Sequence, residues 1–489
     1  MNVTFSSQDI FAGKYDGVVL FTYEERAHAE SKFATKLGNN VLRAREKKEF
    51  EGKHKQCFLD RQEGTMYVLV GLGKQEGVDT VKMREAAGAA ACCLKEKNAK
   101  HIAVELPAEL DATAVGQAVT EGVVLANYQF TKYRTQELEK FKELEAVTVV
   151  SDRTGVAAKL GVEIGTFIAE SCNMTRDLQN TPSSDMPPAV FADLAVKMAK
   201  KEKLKYKVLD RKQLEKQGYG GIMAVGRGSA NEPRMVTLEY HAKKAKKTIA
   251  VVGKGITFDS GGISIKPSPK MGDMKFDMSG AANVVGIMRN VARLKLPMNV
   301  VGIMGLAENM PSSTAYKPGD VVTTKSGKTI EVDNTDAEGR VVLADCLHHA
   351  TTFKPDFIVD MATLTGAVIV ALGDAAAGMM GNDDGVLDMI RVAGEHTGER
   401  VWELPLWDCY KKDIESVIAD VKNTGLPRLA GTITAGKFLE EFVAGVPWVH
   451  IDIAGVAWAD PRDNYFAKKG NGTGFGVRLI TELLRAQRL

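Results

Sequence analysis

Long apolar runs are missing from this chain. No stretch reaches the roughly 18 to 20 apolar residues that a membrane-crossing helix requires, and Met1 to Leu20 lacks the basic segment followed by an apolar one of a secretory leader. A soluble, cytoplasmic protein is expected. Cysteine is sparse, with six in 489 residues at positions 57, 92, 93, 172, 346 and 409, and neither a CxxC pair nor a disulfide-scaffold spacing occurs. Reduced, mostly buried thiols follow from that. Excess charge of either sign is also missing. The net charge is +2, and the first 150 residues carry 21 Lys plus Arg against 22 Asp plus Glu, which leaves no basic footprint for nucleic acid. The eight histidines include no HExxH spacing, which disfavours a His-based zinc protease. There is no GxSxG elbow, and Gly253-Lys254-Gly255 is not followed by the Ser or Thr of a phosphate-binding loop. Serine hydrolase and nucleotide-binding readings thereby lose their support. Internal repeats and low-complexity tracts are absent as well.

What is present is ordinary globular material, 44% hydrophobic and 26% charged. At about 100 to 200 residues per domain, the length makes two or three domains. The first part alternates short apolar strands (Gly17 to Phe21, Met66 to Gly71, His101 to Leu106) with amphipathic helices (Val78 to Lys97, Ala112 to Asn127), the pattern of an open α/β layer. A helical run from about Ala157 to Met174 leads into Asn180-Thr181-Pro182-Ser183-Ser184-Asp185-Met186-Pro187-Pro188, the densest cluster of turn formers in the chain. The expected division is an amino-terminal α/β domain over 1–156, a connecting helix and linker over 157–180, and a larger carboxy-terminal domain over 181–489. That last domain starts with a helix at Ala189 to Lys200 and a strand at Lys205 to Leu209. Strands at Thr248 to Gly253, Met298 to Gly305, Asp356 to Met361 and Trp448 to Ile453, separated by helices such as Gly280 to Leu294 and Arg340 to Thr351, predict a mixed or mostly parallel sheet flanked by helices.

Ligand sites in such sheets lie outside the carboxyl ends of strands. The strand ending at Gly253 runs into Lys254 to Gly262 and on through Lys266 to Gly280, a segment in which Lys and Asp recur. A second charged segment, Asn334-Thr335-Asp336-Ala337-Glu338-Gly339-Arg340, follows a hairpin predicted over Val321 to Thr324 and Thr329 to Val332. Read as extended chain, it puts Asp336, Glu338 and Arg340 on one face, immediately before an apolar run that belongs in a core. Charge concentrated beside a core marks a site. The two segments are placed to converge on one cleft, with Asp259, Asp277, Asp336 and Glu338 as an all-oxygen cluster that repels itself unless cations occupy it. Two divalent metals, about 3.5 to 4 Å apart, would resolve that repulsion.

The motifs KGITFDSGG (254–262), MKFDMSGAA (274–282), AENMPSSTAYKPGD (307–320), NTDAEGR (334–340), DMATLTGA (360–367) and HIDIAG (450–455) resemble those of the leucine aminopeptidase family, two-metal cytosolic exopeptidases. The resemblance covers the chain after about residue 160. It implies that Asp259 and Glu338 bridge two metals, that Asp336 completes the more exchangeable site, and that Lys254 and Asp277 complete the tighter one. Mn or Zn, with Co or Mg as alternatives, suit such donors. It also implies that a metal-bridging hydroxide attacks the scissile carbonyl, that Lys266 stabilises the gem-diolate, and that Arg340 holds a bicarbonate serving as general base. The substrate's free α-amine would coordinate one metal, which makes the reaction that of an aminopeptidase acting on Leu and other mainly apolar residues. Met274, Thr363, Gly366 and Ala454 fall in the stretches that form the family's pocket for the first side chain. A homohexamer built as a dimer of trimers is implied as well. Gly425-Leu426-Pro427-Arg428-Leu429 departs from the glycine-rich loop expected there. Two other functions compete: a two-metal phosphoesterase, which ordinarily recruits His or Asn ligands that these segments lack, and a DNA-binding architectural role known among bacterial members. The near-neutral amino-terminal domain disfavours the latter.

Overall fold

The structure is a computed structural model, and residues 1–24, 40–107, 110–151, 155–458, 466–467 and 469–487 are described here. Two compact units divide the chain, one built on Met1–Asn173 together with Phe466 and Ala467, and the other on the remaining described residues from Met174 onward. The division falls inside a single long helix, Gly155–Asn180.

The first unit is organised by a six-stranded sheet of β1 (Asn2–Ser6), β2 (Gly17–Thr22), β3 (Cys57–Gln62), β4 (Thr65–Gly71), β5 (His101–Glu105) and β6 (Ala146–Val150), in the order β1-β6-β5-β2-β4-β3. Only the β3–β4 pair, a hairpin turning at Glu63-Gly64, is antiparallel. Helices Thr80–Glu96 and Ala112–Asn127 pack against one face and against each other. Each is started by an aspartate: Asp79 accepts from Lys82 N and Asp111 from Ala114 N, both at 2.8 Å, which satisfies a backbone donor of the first turn. Gly122 permits the helices to approach, because a Cβ there would lie 2.2 Å from the Arg84 carbonyl. Beside that contact Arg84 and Glu121 form a buried ion pair at 2.7 Å.

The second unit holds an eight-stranded sheet made of β7 (Lys205–Leu209), β8 (Arg234–Tyr240), β9 (Thr248–Asp259), β10 (Asn299–Asn309), β13 (Phe357–Ala362), β14 (Ala377–Gly381), β15 (Val401–Glu403) and β17 (Trp448–Asp452). Its order is β15-β14-β17-β13-β9-β10-β8-β7. The four central strands, β17, β13, β9 and β10, run parallel, and antiparallel pairs close both sides. Alternation sorts their side chains into two cores. Ile249 and Val251 face helices Pro188–Lys201, Ser279–Arg293, Asp384–Thr397 and Val477–Ala486, whereas Ala250 and Val252 face Gly220–Gly226, Glu338–Thr351 and Gly431–Glu440. A small sheet of β11 (Val321–Thr323), β12 (Thr329–Glu331) and β16 (Val421–Lys422) carries the chain into the NTDAEGR segment. The α/β, two-domain class expected from the sequence is what is found.

Three local expectations need correction. The strand thought to stop at Gly253 continues to Asp259, so Lys254 and Asp259 sit on the strand rather than in a loop. The segment 334–340 is not extended: Asn334 Oδ1 accepts from Asp336 N at 2.8 Å, forming an Asx turn, and Glu338 opens helix Glu338–Thr351. Thiol burial is also less complete than expected, since Cys172 and Cys346 are buried but Cys57, Cys92 and Cys93 are half-buried and Cys409 is exposed. His349, on helix Glu338–Thr351, belongs to packing. His349 bonds to the Tyr219 hydroxyl at 2.9 Å and to Thr237 Oγ1 at 3.2 Å, and burial pushes its pKa down to about 4. Among the described residues no helix is long and apolar enough to cross a membrane.

Candidate metal centre

Lys254 and Asp259 are five residues apart on β9, and strict two-residue alternation would send them to opposite faces. The pairing with β10 shifts between Ala307 and Glu308, so that Ile256, Thr257 and Phe258 are matched by only those two residues. This bulge inserts one extra residue in β9 and restores both side chains to one cluster. Glycines let the backbone crowd in behind them. A Cβ on Gly280 would lie 2.0 Å from the Met361 carbonyl, and one on Gly253 2.3 Å from that of Gly280. The glycine of NTDAEGR has a similar reason to be there: a Cβ on Gly339 would meet Lys254 Cε at 2.5 Å.

Around Lys254 the acids gather. Its Nζ lies 2.8 Å from Asp277 Oδ1 and 2.8 Å from Glu338 Oε1, and it donates to the Thr363 carbonyl at 2.9 Å. Lys266 Nζ stands 2.7 Å from Asp259 Oδ2 and 2.5 Å from Asp336 Oδ1. One oxygen from each of Asp259, Asp336 and Glu338 falls within a 4.8 Å sphere of mutual distance. Six charged residues read from the sequence as site members are therefore brought together, from three separate chain segments.

The seventh, Arg340, is buried on the first turn of helix Glu338–Thr351, where its Nη1 donates to the Asn423 carbonyl at 2.9 Å. Burial lowers its pKa to about 10 against the opposing pull of Glu338. Asn423 in turn clamps the signature turn, accepting from Asp333 N at 2.8 Å and donating to the Asn334 carbonyl at 2.7 Å. Beyond it, the loop that lacks its expected glycines holds Arg428 and Ala430 at φ 62° and 45°. A left-handed conformation costs a non-glycine residue roughly 1–2 kcal/mol.

The four residues read as substrate pocket are distributed differently. Thr363 is buried and donates its hydroxyl to Asp277 Oδ1 at 2.7 Å, so it touches the charged cluster itself. Ala454 lies two residues past β17, where Asp452 Oδ1 accepts from Ala454 N at 3.2 Å and Leu364 N at 3.1 Å, tying together the ends of β17 and β13. Met274 is half-buried on the short turn Met271–Phe276 just before Asp277, and Gly366 is exposed at the start of helix Gly366–Leu372.

Electrostatically the cluster is under tension. Burial raises Glu338 to about 7, with Asp259 adding to the shift, and burial also raises Asp277 and Asp336 above the usual carboxylate range. Burial alone would lower Lys254, but Asp277, Glu338 and Asp259 outweigh it and hold the ammonium above its ordinary value. Even so, Asp277 Oδ2 and Glu338 Oε2 are buried with no hydrogen-bond partner. Orphaned carboxylate oxygens inside a protein are costly unless a cation meets them. Their donor set, oxygens with one amine, fits hard or borderline divalent ions.

Sequence reasoning passed over two residues that organise this geometry. Asn309 donates to Asp259 Oδ1 at 2.8 Å and Asn423 holds Arg340, yet both are neutral amides and gave no charge signal. Asn309 lay inside the AENMPSSTAYKPGD motif and was legible only as part of it.

Comparison with known proteins defines the class. Residues 173–481 match the catalytic domain of the cytosol aminopeptidase family, and residues 18–137 match that family's N-terminal domain. The chain is 43% identical to a probable cytosol aminopeptidase of Roseiflexus castenholzii, covering 99% of each, and 42% identical to one of Aquifex aeolicus, covering 99% of this chain and 98% of that one. Among solved structures, a tomato leucine aminopeptidase mutant superposes with TM-score 0.89 at 31% identity, covering 99% and 96% of the two chains. The bottromycin maturation enzyme BotP, in complex with Mn, gives TM-score 0.87 at 35% identity, covering 97% and 100%. The chain belongs to the cytosol aminopeptidase family. It is an exopeptidase of a metal-dependent family, acting on peptides.

Proposed function

We propose that this enzyme removes leucine and other apolar residues from free peptide N-termini, in the cytoplasm, with two divalent ions held by Lys254, Asp259, Asp277, Asp336 and Glu338. The observation that carries the reading is the group of four carboxylates, with Asp259, Asp277 and Glu338 buried and Asp336 half-buried, in which Asp277 Oδ2 and Glu338 Oε2 have no hydrogen-bond partner. Bound Mn or Zn would supply Lewis acidity toward the scissile carbonyl and activate a water as nucleophile. Lys254 then functions as an amine donor, because adjacent dications reverse the electrostatics that keep it protonated in their absence. Thr363, through its hydrogen bond, fixes Asp277 in its ligand orientation. Lys266, part exposed where Lys254 is buried, offers its ammonium to the oxygen that becomes negative as the carbonyl turns tetrahedral. Arg340 keeps a buried Nε with no hydrogen-bond partner, a donor suited to a planar oxyanion, and we assign it a bicarbonate as proton acceptor. Met274, Thr363, Gly366 and Ala454 are assigned to the pocket for the first side chain.

Hydrolysis of leucine p-nitroanilide and of its N-acetylated analogue tests this reading. After chelation both substrates should be inert, and adding back Mn, Zn, Co or Mg should restore cleavage of the free-amine substrate alone. Equal cleavage of the blocked substrate, or activity that survives chelation, would overturn it.

We further assign 181–489 to catalysis and 1–156 to a variable, oligomer-related domain, in a homohexamer built as a dimer of trimers with the catalytic domains clustered centrally. The second unit exposes large apolar side chains, including Val417 at 97%, Val370 at 90% and Trp402 at 66%, whose burial between copies would be favourable. A monomer mass by size exclusion with light scattering would contradict that assembly.

A further inference from the structure

The last residue of β10 touches both arms of the carboxylate cluster. Asn309 is fully buried and stands opposite Asp259 in the parallel register, just after the β9 bulge. Its Nδ2 donates to Asp259 Oδ1 at 2.8 Å and to the Thr335 carbonyl at 3.0 Å. Its own carbonyl accepts from Ser260 N at 3.0 Å and from Ser260 Oγ at 2.7 Å. One neutral side chain therefore spans the strand bearing Asp259 and the turn bearing Asp336 and Glu338.

The consequences for Asp259 are specific. Its Oδ1 accepts from Asn309 and also from Gly261 N at 2.9 Å, while Oδ2 is the oxygen turned to Lys266. The carboxylate is thus held in one orientation, with one oxygen spent on the protein. An amide suits the position because its NH2 carries two donors and no charge. Aspartate there would add a fifth carboxylate to the cluster and face two acceptors. The Thr335 carbonyl has a second donor in the buried Tyr316 hydroxyl at 2.9 Å and Asp259 Oδ1 has one in Gly261 N, but of these donors Asn309 alone reaches both. Gly262, at φ +67°, leaves the space that Asn309 needs, since a Cβ there would lie 2.8 Å from Asn309 Oδ1.

We propose that Asn309 is a positioning residue for the metal centre, fixing the orientation of Asp259 and its separation from the Asp336–Glu338 turn without being a ligand. This rests on the two-ion reading above. Residues that orient metal ligands through hydrogen bonds typically cost 10–100-fold in metal affinity when removed.

The test is calorimetric titration of MnCl2 into the metal-stripped, full-length wild type and its Asn309→Ala, Asn309→Ser and Tyr316→Phe variants, with circular dichroism of each before metal is added. Folded Asn309 variants should bind the weaker of two Mn equivalents about 10–100-fold less tightly. Tyr316→Phe should lose much less, because Asn309 still serves the Thr335 carbonyl. If Asn309→Ala does not fold, the smaller change to serine carries the test. A folded Asn309→Ser protein with wild-type affinity at both steps would overturn the proposal, as would an equal loss in Tyr316→Phe, which would place the effect at Thr335 rather than Asp259. Failure of the wild type to bind two Mn would instead remove the two-ion reading, and the inference with it.

Discussion

Glu338→Gln is expected to lower kcat/KM for leucine p-nitroanilide by about 10³-fold or more and, at the same time, to raise the melting temperature of the metal-free protein at pH 8. The loss follows from the role proposed for Glu338 as one of the residues that would hold the two ions. Metal Lewis acidity contributes several kcal/mol to such reactions, and each 1.36 kcal/mol is tenfold in rate. The gain follows from the cluster's electrostatics. Burial, with Asp259 beside it, lifts the Glu338 pKa from 4.5 to about 7, so the folded state holds its proton more tightly than the unfolded state does. A raised carboxyl pKa makes a contribution to stability that is present at low pH and lost as pH rises from 4.5 through 7. At pH 8 the ionised carboxylate therefore costs the metal-free fold on the order of 1–3 kcal/mol, which an isosteric amide avoids. Kinetics, Mn titration and melting of the stripped protein measure the two arms. A variant that binds two Mn and keeps activity within tenfold of wild type would refute the ligand role, and one that melts well below the wild type would refute the electrostatic account.

That coupling of instability to function bears on what the sequence could disclose. Helix Ala112–Asn127 and strand β7 run over the residues expected from the sequence, and for the helix the Asp111 cap is a local signal. β9 was cut short at Gly253 since Gly253-Lys254-Gly255 looks like a strand end. Those glycines are there for proximity instead: a Cβ on Gly255 would lie 2.5 Å from Leu306 Cδ2, and that neighbour is more than forty residues away in sequence. Asp336, Glu338 and Arg340 stand out in the sequence as a charged group, but their geometry does not, because the Asx turn of Asn334 and the helix start at Glu338 compete with extended chain and win. The convergence of Lys254, Asp277 and Glu338 is a product of parallel strand order and a bulge, neither of which periodicity encodes. The charged residues were legible through their motifs. Of the amides that hold them, Asn309 is legible only as part of its motif and Asn423 lies outside every motif.

Lys266 separates chemistry from metal binding most cleanly. Two lysines enter the carboxylate cluster, and their surroundings differ. Lys254 is 4% exposed and fixed by Asp277, Glu338 and the Thr363 carbonyl, whereas Lys266 is 21% exposed and its Nζ is paired with the carboxyl groups of Asp259 and Asp336. On the proposed reading, the first belongs to the ions and the second to the substrate. Lys266→Met should therefore reduce kcat by about 10²- to 10³-fold, the usual consequence of deleting one preorganised partner of a developing oxyanion, while KM changes little. Mn affinity should hold or tighten, because Asp259 and Asp336 lose a cation that competes for their oxygens. Lys254→Met should do the reverse, weakening Mn binding directly. Steady-state kinetics beside Mn titration distinguishes these outcomes: a Lys266→Met enzyme with kcat within threefold of wild type would remove Lys266 from the chemistry, and one that no longer binds Mn would make it a structural member of the metal centre.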